Sequence, residues 1–144
     1  MIWLLRHGDA EDGAGKPDSE RELTNKGRRQ AELAGQALAK LGVELDACLT
    51  SPKVRARDTA GLACNSLGVE PEVDERLRAG DFDPLELAAG RGEVLLVGHE
   101  PDFSRAIAIV TGSRVKLKKG GVAALDDHLL HALIRPKDLA EIAE

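Results

Sequence analysis

Two segments of this chain share one pattern, and that repetition limits the fold more than any other feature. Ile2-Trp3-Leu4-Leu5 is an unbroken apolar run that gives way to Arg6-His7-Gly8-Asp9, and Val94-Leu95-Leu96-Val97 gives way to Gly98-His99 in the same manner. Side chains alternate between the faces of a strand, so a run apolar at every position reads as a parallel strand covered on both sides. Strands of this kind separated by helical segments predict an α/β sheet, whose ligands lie in the crevice beyond the carboxyl ends of the strands. Both histidines are expected at that edge.

The intervening pattern supports this reading. Residues 11 to 20 are rich in Gly, Asp, Pro and Ser and read as a loop. Ala31, Leu33, Ala34, Ala37, Leu38 and Leu41 form the one-sided stripe of a helix over 25–41, with Thr24 as its cap and Gly42 as its stop. Leu45 to Thr50 predicts a second short strand, and Ser51-Pro52 starts a helix carrying Val54, Arg55, Thr59, Leu62 and Ala63. A short extended piece around Val73, a Gly-Asp turn and a brief helix at Pro84 to Ala89 follow. Pro101 to Thr111 predicts a helix with Phe103, Ile107 and Val110 inward. Beyond Val115, the runs Gly120 to Leu125 and Leu129 to Ile134 flank Asp126-Asp127-His128 as a hairpin, and a short helix starts at Pro136. The expected architecture is an α/β three-layer sandwich, its central sheet mostly parallel with an antiparallel edge.

The 144 residues fit one domain, 1–144. With 25 acidic against 20 basic residues, the net charge of -5 argues against a nucleic-acid partner, since phosphate backbones are gripped by surplus Lys and Arg. Trp3, Phe82 and Phe103 are the only aromatics and leave no stacking platform for single strands. Cys48 and Cys64 stand outside any CxxC or Cys/His metal spacing and read as reduced core thiols. No apolar run approaches the roughly 20 residues that span a bilayer, so no membrane partner is expected and the cytoplasm is the default location. Nothing in the chain signals oligomerisation, and a monomer is the expectation.

The two strand-end histidines would be joined by Arg6 from the first loop and Arg55 from the helix after the second strand. Guanidiniums are planar, permanently charged forks that match phosphate oxygens and neutralise charge building on them. A histidine with an ordinary pKa of about 6.5 is largely neutral near pH 7 and can attack phosphorus, forming a phosphohistidine that water then hydrolyses. Helices starting near Pro52 or Pro101 could add backbone N–H groups to an anion site. Arginines beside the histidines disfavour a metal, so neither metal nor other cofactor is expected.

The segments Leu5-Arg6-His7-Gly8, Leu23-Thr24-x-x-Gly27, Thr50-Ser51-Pro52-x-x-Arg55-Ala56-x-x-Thr59 and Val97-Gly98-His99-x-Pro101 together resemble the histidine phosphatase, or phosphoglycerate-mutase-like, superfamily. The resemblance covers roughly residues 1 to 125. It implies a phosphoglycerate-mutase-like fold, with His7 as the phosphorylated nucleophile, Arg6 and Arg55 holding the phosphate, and His99 as a second imidazole on the phosphoryl group. The short chain and the opening Arg6-His7-Gly8-Asp9-Ala10 are similar to the SixA-type phosphohistidine phosphatases, which lack an inserted substrate lid. That branch implies Arg21 as a further anion contact.

Larger relatives carry a glutamate acid in the middle of the chain, where this sequence reads Leu77-Arg78-Ala79-Gly80-Asp81. Ala79 cannot donate a proton. A phosphoramidate, whose leaving nitrogen can be protonated before cleavage, depends less on a dedicated acid than an alkyl ester does. If a carboxylate serves, Asp18, Glu20 and Asp81 are the candidates, with Asp18 also placed among the substrate-binding residues. The implied partner is a phosphohistidine-bearing protein or a small phosphorylated molecule. A non-catalytic phosphate-recognition module is the alternative from another class. His128 and His131 fall outside every motif and read as structural or solvated. Lys116, Lys118 and Lys119 read as a solvated face or as the edge of the mouth that meets an acidic or phosphorylated partner.

Overall fold

The two histidine-terminated runs lie side by side at the centre of one six-stranded sheet. A computed structural model describes residues 1–144. Its elements are β1 (Ile2–Arg6), α1 (Asn25–Lys40), β2 (Ala47–Thr50), α2 (Val54–Cys64), β3 (Pro71–Val73), α3 (Pro84–Ala88), β4 (Val94–Gly98), α4 (Asp102–Thr111), β5 (Val122–Asp126), β6 (Leu129–Ile134) and α5 (Pro136–Ala143). The strand order is β3-β2-β4-β1-β5-β6. Strands β1 to β4 are mutually parallel where they pair, while β5 runs antiparallel to β1 and β6 antiparallel to β5. This is the mostly parallel sheet with an antiparallel edge that the periodicity predicts.

Strand alternation builds the three layers. On one face Trp3, Leu5, Leu95, Val97, Val122 and Ala124 meet the small side chains of α1 and α2 and Leu139 of α5. On the other, Ile2, Leu4, Val94, Leu96, Ala123 and Leu125 meet Leu87 of α3, Phe103 and Ile107 of α4, and Leu117. Cys48 and Cys64 are free thiols buried in the first of these cores, where the neighbouring Cys64 sulfur and burial push the Cys48 thiol up.

Boundaries shift where a side chain or turn intervenes. The Thr24 hydroxyl accepts a hydrogen bond from Gly27 N and starts α1, which ends at Lys40 with Gly42 in the left-handed conformation (φ +82°). The second helix begins at Val54, not at Pro52, because Ser51 Oγ accepts from Lys53 N at 3.2 Å and holds the residues between in a turn. The Glu100–Pro101 peptide is cis and α4 begins one residue later than the sequence pattern suggests. Two 3-10 turns, Asp18–Glu20 and Glu75–Leu77, interrupt segments that read as loops.

Candidate active site

Strand register assembles the site. Arg6 pairs with Gly98, and His7 N donates to Gly98 O at 3.0 Å, so His7 and His99 stand just past the ends of adjacent strands. Their rings are 5.2 Å apart between centroids and tilted by 57°. Strand β2 lies on the other side of β4, and Ser51 N donates to Val97 O at 3.0 Å. That brings Ser51 Oγ to 2.7 Å from His99 Nε2. The first turn of α2 then delivers Arg55, whose Nε donates to His7 Nε2 at 3.4 Å. His7, Arg55 and His99 are all buried, and Arg6 is partly exposed at the rim.

Thr59 links the helix to the loop after His7. Its hydroxyl donates to Arg55 O at 2.7 Å and accepts from Gly8 N at 3.1 Å. Gly8 lies against Gly27, and a Cβ on Gly8 would meet the Gly27 carbonyl. The absence of side chains at this crossing lets the His7 loop rest directly on the first turn of α1.

A hydrogen bond decides which imidazole nitrogen is available. His7 Nδ1 lies 2.7 Å from Gly8 O, a carbonyl that can only accept, so Nδ1 carries the hydrogen and Nε2 keeps its lone pair. Burial lowers the His7 pKa to about 4; the Gly8 carbonyl opposes the shift and Arg55, Arg6 and Lys119 add to it. Burial likewise lowers His99 to about 3, helped by His7, Arg55 and Lys53 and opposed by Asp18. Both imidazoles are neutral at pH 7. Arg6 donates from Nη1 to Leu117 O at 2.9 Å. The buried side-chain polar atoms left without a hydrogen bond within the chain are Arg6 Nε and His99 Nδ1, both members of this cluster.

Asp18 has a different character from the one its sequence position suggests. Its Oδ2 lies 3.2 Å from both Arg55 Nη2 and Lys53 Nζ, its Oδ1 lies 3.2 Å from Arg21 Nη1, and its backbone carbonyl accepts from Arg55 Nη1 at 2.8 Å. Partial burial would raise its pKa, but Lys53, Arg21 and Arg55 hold the carboxyl well below the usual carboxylate range. A carboxylate ionised this firmly is no proton donor near pH 7. Asp81 pairs with Arg105 at 3.1 Å on the surface, and Glu20 is exposed in the same 3-10 turn as Asp18. Arg21 also donates to Glu11 O at 2.8 Å and reaches the cluster through Asp18. The structure thus brings Arg6, His7, Arg55, His99 and Asp18 together, with Arg21 one contact further out.

Sequence reasoning assigned no role to Ser51, Lys53 or Thr59. Ser51 and Thr59 stand inside the quoted motif, so their signal was present; Lys53 occupies one of its unspecified positions and carried none. His128 and His131 are exposed in the late hairpin. No three metal-ligating side chains converge anywhere in the chain, and no helix is long and apolar enough to cross a membrane.

The family model of the histidine phosphatase superfamily (branch 1) matches residues 2–101. An uncharacterized protein of Picosynechococcus sp. is 40% identical over 137 residues, covering 86% of this chain and 83% of that protein. The mitochondrial serine/threonine-protein phosphatase Pgam5 of Drosophila ananassae is 38% identical over 71 residues, covering 49% of this chain but only 24% of its own length. The structure of the protein histidine phosphatase SixA complexed with tungstate has a TM-score of 0.82 at 24% identity, over 96% of this chain and 98% of SixA. At that identity the likeness is one of fold.

Proposed function

This chain belongs to the histidine phosphatase superfamily, and from that premise we propose that it removes the phosphoryl group from phosphohistidine on a protein, through a covalent phospho-His7 intermediate. The whole chain serves as one phosphatase domain in this reading. The observation that carries it is the state of His7: a neutral ring whose Nδ1–H is held by Gly8 O, leaving the Nε2 lone pair beside the Arg55 guanidinium and a second neutral imidazole.

In the first step His7 Nε2 forms a bond to phosphorus as the bond to the substrate nitrogen breaks. Arg6 and Arg55 neutralise the equatorial oxygens, and His99, with Ser51 on its other nitrogen, contacts the same group. The substrate ring is protonated from solvent before the P–N bond breaks, so it departs as neutral imidazole, whose conjugate acid titrates near 6.5 and which is a far better leaving group than an alkoxide. In the second step water attacks phospho-His7, releasing phosphate and restoring Nε2. Of the three candidate carboxylates, Asp18 is held ionised, Asp81 pairs with Arg105 and Glu20 is exposed, which supports a nitrogen-linked substrate over an alkyl ester. The match in fold to SixA over nearly the whole of both chains supports the same choice.

The test is hydrolysis by wild type and His7→Ala of a chemically phosphorylated histidine protein, a phosphoserine peptide and an aryl phosphate. Phosphohistidine should be cleared roughly a hundredfold faster than the serine ester, and His7→Ala should lose on the order of a thousandfold or more. Wild type should take up an acid-labile, base-stable phosphate. Turnover of esters alone would move the substrate to small phosphomonoesters or phosphoserine, and phosphate binding without turnover would make the chain a recognition module.

A further inference from the structure

Beside the histidine cluster lies a groove of about 350 Å3 lined by Arg6, Asp9, Lys26, Gln30, Lys118, Lys119 and Pro136. We propose that this groove is a docking subsite for Asp and Glu side chains that flank the phosphorylated residue of a protein substrate. The inference rests on the reading above and adds what the enzyme selects around the phosphate.

Charge is the first argument. The groove gathers four cations and one carboxylate, a local +3, in a chain whose net charge is -5. Asp9 is already engaged, with Thr24 Oγ1 on its Oδ2 at 2.8 Å and Lys119 Nζ 3.4 Å from its Oδ1. Lys26 and Lys118 are exposed and pair with no carboxylate of this chain. Unpaired like charges repel one another, so their gathering at one place is explained by an anionic partner.

The lysine segment is also fastened to the nucleophile loop. Gly120 N donates to Arg6 O at 3.1 Å and to His7 O at 3.0 Å, and Arg6 N donates to Gly121 O at 3.1 Å. Leu117 between them is buried; its carbonyl accepts from Arg6 Nη1, and its N–H donates to Glu100 Oε2 at 3.1 Å. Gly120 has φ +78°, and a Cβ there would stand 2.9 Å from Gln30 Cβ, so this segment is pressed onto α1. Lys118 therefore sits at a set distance from His7, and Arg6 belongs to both the groove and the phosphate site.

The donor chemistry favours carboxylates over a second phosphate. Apart from Arg6 the groove offers single ammonium groups on flexible stems, not the guanidinium forks that match a phosphate. Separate point charges suit separate side-chain carboxylates along an extended peptide, and Pro136 is the one apolar residue in the lining.

The experiment uses two phosphohistidine peptides of equal length, one with Asp and Glu flanks and one with Ser and Gln flanks. Each is assayed with wild type and a Lys26→Gln, Lys118→Gln variant at low and high salt, with an aryl phosphate as control. Fluorescence anisotropy measures binding of the unphosphorylated acidic peptide. The acidic substrate should show a kcat/KM about tenfold higher, chiefly through KM. That preference should fall to about twofold or less in the variant and in high salt, with aryl phosphate turnover unchanged. Equal kcat/KM for the two peptides, or an acidic preference that persists undiminished in the double variant, would overturn the groove assignment. Lysine-dependent binding of the acidic peptide without hydrolysis of either substrate would uphold the groove and sink the phosphohistidine activity.

Discussion

His7 and Asp18 show how neighbours set the role of a titratable side chain. The bond from His7 Nδ1 to Gly8 O frees Nε2, and burial keeps the ring neutral, so the nitrogen that meets Arg55 is the one able to attack. Asp18 is governed by three cations and stays ionised. It acts on Arg55, a positioning role, and the two available substitutions separate that role from acid catalysis. Asp18→Asn keeps an acceptor oxygen for Arg55 and should change kcat by less than about threefold; Asp18→Ala removes it and should lower kcat/KM roughly tenfold, mostly through KM. If Asp18 were the general acid, both would lose about a hundredfold or more in kcat and the alkaline limb of the rate profile would vanish.

The pair α1 and α2 carries the geometry of the site, since α2 holds Arg55 and Thr59 while the start of α1 supports the His7 loop. Their close approach depends on Gly35, where an added Cβ would meet the backbone carbonyl of Ala63. Gly61 lies on α2 with open space around it. Alanine favours a helix over glycine by up to about 1 kcal/mol. Gly61→Ala should therefore raise the melting temperature by about 2–4 °C. Gly35→Ala should lower it despite the same propensity gain, because overpacking against backbone costs about 1–3 kcal/mol. Thermal melts of the two variants check this, and a stabilised Gly35→Ala would mean the helices separate freely.

Over the whole molecule the two buried histidines make stability depend on pH. Their folded pKa values, about 4 for His7 and about 3 for His99, lie below the unfolded value near 6.5. Between those limits the unfolded chain binds more protons than the folded one, so acid favours unfolding. Stability is unaffected by these groups above pH 6.5, falls as pH drops from about 6.5 toward 4, and falls further toward 3 through His99. Asp18, whose pKa is lowered, adds a loss that sets in as pH falls below the ordinary carboxylate value of about 3.9 and so overlaps the end of the His99 window. Urea melts at pH 7.5 and 5.0 should show a lower midpoint at 5.0, with part of the difference gone in His7→Asn. Identical midpoints would show that the histidines are not buried neutral.

Much of this molecule is legible before it folds, for a local reason. Strands, helices and caps follow from the period of apolar residues and from the chemistry of single positions such as Thr24 and Gly42, all within one element. The motifs that hold Arg6, His7, Arg55 and His99 are likewise short local strings, and it is their resemblance to a family that singles these residues out. What the chain does not state is which elements become neighbours. The placement of β4 beside β1, which sets the two imidazoles 5.2 Å apart, depends on the packing of the whole sheet. So does the contact of Arg55 with His7, 48 residues away in sequence. The protonation of His7, the ionised state of Asp18 and the groove that joins Lys26 to Lys118 depend on burial and on charges brought from distant segments. Local sequence decides what each segment can form; proximity, and the low dielectric that gives proximity its energetic weight, exists only once the segments have packed.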